Sequence, residues 1–287
     1  MQHAFYVASH LVIAALYLLL ARQVWVSLNE GEVAPAPVAP PARARLDRWA
    51  LPLLALGHGA LLAVLVFGGG EFRFGFALAL SATLWLTVLI LWLEGFFVPL
   101  RGLQPLVLPA AAVALLLPLL FPGVAVQAAE RGVALRLHLL VAILAYSLLT
   151  IAALHAVLMA ALDRQLHAGA AGAGPGVSRL FRQAPSLLAM ERLLFRLIGA
   201  GFVLLTATVL TGVLFSEYLF GRALRFEHKT VFALAAWLVF GGLLAGRVVF
   251  GWRGRVALRW TLAGFTMLLL AYVGSRFVVE VILSRAG

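Results

Sequence analysis

The sequence predicts an all-α, polytopic membrane protein built as a bundle of eight transmembrane helices. Its 287 residues are 64% hydrophobic and only 11% charged, with a mean hydropathy of +1.05, whereas soluble domains carry about 25% charged residues. Eight apolar runs approach the ~20 residues that an α-helix needs to cross the hydrocarbon core. Proline, glycine and short arginine clusters separate these runs, which is typical of multi-pass membrane proteins.

The eight spans are expected in one membrane domain, 1-287. In chain order they lie near 5-27, 49-67, 74-93, 103-121, 135-162, 193-215, 230-249 and 256-283. The first is read as a retained helix, because it lacks the basic start of a cleavable signal peptide. Breaks occur at APAPVAPP (Ala34–Pro41) and FPG (Phe121–Gly123), and 163-190 is expected to be a cytoplasmic linker. No convincing internal repeat is present, so an inverted-repeat transporter is not favoured.

The charge distribution predicts the orientation. The net charge is +11, but the arginines lie between apolar runs, which disfavours nucleic acid as a partner. Of the 22 Lys and Arg, 14 fall on one side of the predicted spans and 8 on the other. The richer side is cytoplasmic by the positive-inside rule. We therefore expect a bacterial inner (cytoplasmic) membrane protein with both termini outside the cytoplasm.

Several classes of chemistry are disfavoured. The chain has no cysteine, so disulfides, thiolate metal sites and cysteine nucleophiles are excluded for the chain itself. No nucleophile–base signature, phosphate loop or HExxH motif is present. No catalytic residue is therefore predicted.

Two histidines open apolar segments on the same predicted outer side, at matching depth. His138 begins RLHLLVAILAYSLLT and His228 lies in RFEHKT. Imidazole is a common ligand of iron and zinc, so the pair predicts a site between helices, with Glu227 orienting or balancing it. Small residues follow His138 on its face, and Tyr146 flanks that face; they suit either a close helix contact or a groove for a planar ligand. The alternative is that both histidines are ordinary interfacial residues.

His58 is different because it falls near the middle of the second span, in LALGHGALLAV. Ionisable residues at that depth are functional by default. The alternative is a neutral imidazole hydrogen-bonded across the bundle, with Gly57 and Gly59 allowing another helix to approach. His10 is shallow enough to approach the outer site. His155 is expected to pack or bond toward the cytoplasmic side, and Glu191 to form ion pairs.

Four stretches in the second half carry a resemblance to a known family. In order they are RLHLLVAILAYSLLTIAALHAVLMA, MERLLFRLIGAGFVLLTATVLTGVLFS, HKTVFALAAWLVFGGLLAGR and RWTLAGFTMLLLAYVGSRFVVEVIL. They resemble the cytochrome c assembly family, the haem-handling membrane proteins that include CcsA, CcmC and HemX. LEGFFVPLRGLQPLVLP at Leu93–Pro109 makes the chain most similar to the short, eight-helix YpjD-type branch.

The resemblance implies haem as cofactor and cytochrome c maturation proteins as partners. His138 is similar to the first outer haem-ligating histidine of the larger members, and His58 to a mid-membrane histidine. Where those members have Trp-Asp-Pro-Lys, this chain reads Phe226-Glu227-His228-Lys229. The tryptophan-rich loop before that motif is absent. The chain is therefore expected to bind haem without being a complete haem ligase.

Three functions remain open at this point. The first is haem handling for cytochrome c assembly, with His138 and His228 as candidate axial ligands of the haem iron and His58, Tyr146 and Glu227 near the cofactor. The second is a non-catalytic regulatory or scaffold partner in the bilayer that binds no haem. The third is a small-molecule transporter with His58 as a gate or proton relay. The oligomeric state is not predicted.

Overall fold

Helices dominate the structure, a computed structural model that describes residues 2–30, 42–67, 72–96, 101–126, 132–168, 187–220 and 228–274. In these residues it contains eight α-helices: α1 (Gln2–Glu30), α2 (Ala42–Phe67), α3 (Phe76–Glu94), α4 (Gln104–Leu120), α5 (Gly132–Ala168), α6 (Leu187–Phe220), α7 (His228–Val249) and α8 (Gly254–Leu269). A π-helical turn at Leu270–Gly274 continues α8. The predicted all-α membrane fold is confirmed.

The number of spans is less sharply defined than the fold class. Seven described helices are long and apolar enough to cross a membrane, with α8 and its π-helical turn counted together. The eighth, α4, has only 17 residues, after a 3-10 turn at Arg101–Leu103. At about 1.5 Å per residue it reaches about 26 Å, just under a typical hydrocarbon thickness.

The segment boundaries differ from those expected in two places. Helix α5 continues to Ala168 and α6 already begins at Leu187, so both helices extend into the segment expected as a linker at 163-190. Phe74 was expected to begin the third span, but it belongs to a strand and α3 begins two residues later. The end of the last expected span lies outside the described residues.

That strand is part of a two-stranded antiparallel ribbon. Strand β1 (Phe72–Phe74) pairs with β2 (Val124–Val126), with Arg73 opposite Ala125. Gly123, just before β2, has φ = 71°, a backbone conformation that glycine adopts at little cost. The ribbon joins the α2–α3 and α4–α5 connections. We call this end of the molecule the ribbon end; on the charge prediction it is the outer end.

The opposite end is marked by the tight turn between α7 and α8. Gly251 and Gly254 both have positive φ, 66° and 53°. Trp252 between them packs so closely on Gly246 that a Cβ there would overlap the indole ring. We call this end the turn end; on the charge prediction it is cytoplasmic.

The helices pack as two groups of four. In the first group α1 contacts α2 and α4, and α3 lies against α2 and α4; in the second, α5 and α7 each pack against both α6 and α8. The packing of α3 on α5 joins the groups. The α5–α6 contact is the most extensive of these; Gly201 faces Leu149 there, and Ala145, Ala152 and Ala156 of α5 are fully buried. Small residues drive such approaches in membranes, where dispersion replaces the hydrophobic effect.

Candidate functional site

His138 lies on α5 near the ribbon end, half-buried against α6. Its Nδ1 is 2.7 Å from Thr211 Oγ1. The Thr211 hydroxyl also lies 2.7 Å from Ala207 O and 3.1 Å from Thr208 O on its own helix. With its single proton directed to one of these carbonyls, the hydroxyl oxygen accepts a hydrogen bond from His138 Nδ1–H. That arrangement corresponds to the neutral tautomer of His138 in which Nε2 carries the lone pair.

On the side of α6, the residue that faces the His138 ring is a glycine, Gly212. A Cβ added at Gly212 would lie 3.6 Å from His138 Cε1, so α6 offers glycine backbone beside the ring. Deeper along α5, Ala145, Ala152 and Ala156 are fully buried by neighbouring helices. At Ala145, Ala152 and Ala156 this face is therefore taken up by close helix packing and not by a groove for a planar ligand.

His228 is exposed at the first residue of α7. The register of α7 on α6 is fixed by Trp237 Nε1, which donates to Thr206 Oγ1 at 2.9 Å. Counting outward from this bond at about 1.5 Å per residue, His228 lies about 6 Å, or one turn, nearer the ribbon end than Thr211. The two histidines share the ribbon end, but the expected matching depth is offset by about one turn. Glu227 lies outside the described residues.

Tyr146 sits about two turns deeper than His138 on α5. Its hydroxyl donates to Leu268 O at 3.0 Å, which ties α5 to α8. The predicted position on the face next to His138 is thus filled by a helix–helix contact.

His58 is completely buried between α1, α2 and α3. Its Nε2 lies 2.9 Å from Ser81 Oγ and its Nδ1 lies 3.4 Å from Tyr17 OH. Gly57 and Gly59 give access to α1 and α3, since a Cβ at either would lie 2.9 Å from Ile13 or Trp85. These contacts favour the neutral, hydrogen-bonded interpretation of His58. Neither Ser81 nor Tyr17 was singled out by sequence reasoning, because polar residues on separate helices carry no pairing information.

His10 lies on α1, two turns from Tyr17, and is also completely buried. Its Nδ1 donates to Tyr6 O at 2.9 Å, and its Nε2 has no hydrogen-bond partner within the described part of the chain. The ring packs against Tyr6 with centroids 4.4 Å apart. Because α1 packs on α2 and α4, His10 faces the first group of helices, whereas His138 belongs to the second.

The turn end carries a second polar network, as predicted for His155 and Glu191. His155 Nε2 donates to Met190 O at 3.0 Å. Glu191 accepts from Arg247 at 2.6 Å and pairs with Arg253 at 3.7 Å. Arg247, which sequence reasoning did not assign to this network, also lies over the Phe195 ring at 4.5 Å. These contacts lock the first turns of α6 to α5 and to the α7–α8 turn.

No group of three or more His, Asp or Glu with metal-binding geometry occurs among the described residues. A protein-ligated zinc centre therefore has no support there. Haem iron needs at most two protein ligands, so it does not require such a group.

Comparison with known proteins identifies relatives along most of the chain. A family model described as cytochrome C assembly protein matches residues 48–283. The inner membrane protein YpjD of Escherichia coli is 34% identical over 181 residues, 63% of this chain and 65% of YpjD. An uncharacterised 28.8 kDa protein of Azospirillum brasilense is 34% identical over 162 residues, 56% of this chain and 58% of that protein.

A shorter match is to a protein whose name states a role in cytochrome c biogenesis. The cytochrome c biogenesis protein CcsA of Synechocystis is 33% identical over 85 residues, 30% of this chain and 25% of CcsA. Even the longer matches cover less than two thirds of the relatives' own length.

Proposed function

The chain belongs to the cytochrome c assembly protein family, and from this premise we propose that it is a membrane-embedded haem-handling protein. It binds haem at the ribbon end, with His138 as an axial ligand. It serves cytochrome c assembly without itself forming the haem–protein bond.

The observation that carries this proposal is the hydrogen bond between His138 and Thr211. Histidines that ligate metals donate their other ring N–H to an oxygen, which fixes the ring and raises its basicity. Thr211 supplies such an oxygen 2.7 Å from His138 Nδ1, and its own proton can go to Ala207 O or Thr208 O. In this arrangement His138 Nε2 would be the nitrogen that ligates iron.

The remaining residues have supporting roles. When bound, haem would supply the iron centre and any redox chemistry, while the helices supply a ligand and exclude water. We propose His228 as the second candidate ligand, since it is exposed at the same end. It lies about one turn nearer the ribbon end than Thr211, the hydrogen-bond partner of His138.

Location and partners follow from the same proposal. We place the chain in a bacterial inner membrane, in line with the name of its relative, the inner membrane protein YpjD. The ribbon end would lie outside the cytoplasm. Its partners would be haem and cytochrome c maturation proteins, consistent with the biogenesis role in the name of CcsA.

A haem titration of the detergent-purified chain tests the proposal. We expect a Soret band at stoichiometric haem that is lost in His138→Ala and retained in His155→Ala. The second variant is the matched control, because His155 is a buried histidine of the same helix bonded at the turn end. A band of equal intensity in all three proteins contradicts ligation by His138. No band in the wild-type chain favours the regulatory or scaffold alternative.

A further inference from the structure

The turn end is rich in arginine beyond what its acidic residues neutralise. Seven arginines lie at this end, on helices α5 to α8 or in the α7–α8 turn, at about the depth of the ion pairs given next. They are Arg164, Arg192, Arg196, Arg247, Arg253, Arg255 and Arg259. Asp163 pairs with Arg255 at 2.7 Å, and Glu191 pairs with Arg247 and Arg253. Both acids therefore already have arginine partners.

Two of the remaining arginines lie one turn deeper in the membrane. Arg196 is four residues beyond Arg192 on α6, and Arg259 is four residues beyond Arg255 on α8. Each step corresponds to about 6 Å along the helix axis. Both side chains are exposed, and within the part of the chain that the structure describes neither has an acidic partner.

Both arginines also belong to the lipid-facing stripes of their helices. On α6 the same face continues through Val203 and Leu210, which are 67% and 59% exposed. On α8 Arg259 shares its face with Ala263 and Leu270, which are exposed too. An arginine on such a face extends its guanidinium toward the headgroup level, since a bare charge in hydrocarbon is costly.

Aromatic residues mark this same level as the membrane interface. Phe250 and Trp252 stack with centroids 6.0 Å apart, and Trp252 lies 4.8 Å from Trp260. Phe250 is 73% exposed beside the turn. Trp side chains at the ends of apolar helices are enriched at the boundary between hydrocarbon and headgroups.

We propose that Arg196 and Arg259 bind the phosphate groups of anionic phospholipids at the turn end. The guanidinium presents a fork of donors that fits phosphate oxygens, and anionic lipid surfaces attract basic residues at this depth. Arg164 and Arg192, at the headgroup level, add to the attraction. This lipid contact would hold the ends of α6 and α8 at a fixed depth, independently of any ligand at His138.

Lipids retained by the purified full-length chain test this directly. The protein is equilibrated in nanodiscs containing equal amounts of phosphatidylglycerol and phosphatidylcholine, extracted gently, and its retained lipids are quantified by mass spectrometry. We expect about fivefold enrichment of phosphatidylglycerol at low salt, and a smaller enrichment in high salt. Absence of enrichment in the wild-type chain overturns the proposal.

Two double variants distinguish phosphate binding by Arg196 and Arg259 from a general effect of the net charge. Arg196→Gln with Arg259→Gln should abolish most of the enrichment. Arg253→Gln with Arg255→Gln removes the same charge from arginines that already have acidic partners, so it should retain most of it. Equal loss in both double variants assigns the effect to net charge and overturns the proposal. If the first pair fails to fold, Arg196→Lys with Arg259→Lys keeps both charges and loses only the guanidinium forks, so it should lower the enrichment. Enrichment equal to that of the wild-type chain would overturn binding by the forks.

Discussion

At the scale of single residues, the candidate site depends on one hydroxyl–imidazole contact. The sequence alone identified His138, because a histidine that opens an apolar helix is conspicuous. It did not identify Thr211, which is 73 residues away and meets His138 only through the packing of α5 on α6. That contact is the basis on which we propose His138 as a ligand through Nε2.

Removing the hydroxyl should weaken haem binding without removing the ligand. Thr211→Val keeps a β-branched side chain of similar shape but loses the oxygen that accepts from His138 Nδ1–H. We expect haem affinity to fall about 10- to 100-fold in a Soret titration. Thr206→Val is the control, since it removes a hydroxyl of the same helix that bonds Trp237 instead. Unchanged affinity in Thr211→Val would show that the contact does not orient a ligand.

His58 illustrates the limit of sequence reasoning at the same scale. Its depth in the second span was readable from position, and its glycine neighbours predicted close helix contacts. Whether it ligates, relays protons or packs depends on partners from other helices, and these are Tyr17 and Ser81. The depth of a residue within a span can be read from the sequence, whereas its partners on other helices cannot.

At the scale of helices, the apolar runs in the sequence predicted the α-helices that the structure describes. Span length and glycine or proline breaks are local properties, so the turns at Gly123 and at Gly251–Gly254 coincide with predicted boundaries. The β1–β2 ribbon was missed because three-residue strands such as FRF and VAV have no periodicity to detect. Helices α5 and α6 extend past the apolar runs into the ends of the expected linker, because polar helical turns carry no apolar signal.

The closeness of α5 and α6 predicts a sharp difference between two glycines of one helix. A Cβ at Gly201 would lie 2.7 Å from Leu149 Cδ2, whereas a Cβ at Gly199 would meet nothing within 4 Å. Gly201→Ala should therefore lower stability by about 1–3 kcal/mol, because Leu149 is fully buried. Gly199→Ala should be neutral or slightly stabilising.

Thermal unfolding of the two variants in the same detergent measures this difference. A lower midpoint for Gly201→Ala alone supports the packing described. Equal midpoints would mean that α5 and α6 are further apart at this level.

At the scale of the whole molecule, the family match includes seven of the eight described α-helices in whole or in part, from α2 to α8. The family model begins at residue 48, so α1 lies outside the match. Yet α1 contributes Tyr17 to the buried cluster at His58 and carries the buried His10. The second group holds His138, His228 and the arginines of the turn end.

The orientation of the whole bundle can be tested cleanly because the chain has no native cysteine. Arg73→Cys places a thiol on the exposed ribbon, and Arg253→Cys places one on the exposed α7–α8 turn. With the ribbon end outside, a membrane-impermeant maleimide should label Arg73→Cys in intact spheroplasts and Arg253→Cys only after lysis. The reverse labelling pattern would invert the predicted topology.

The central claim, ligation of haem by His138, is tested most directly by chemical rescue. His138→Gly should lose the Soret band of the haem-loaded chain, and free imidazole should restore it by occupying the vacated ligand position. The same addition should leave His155→Gly unchanged. Recovery of the wild-type spectrum with imidazole is the result expected. Retention of the full band in His138→Gly without imidazole would contradict the claim.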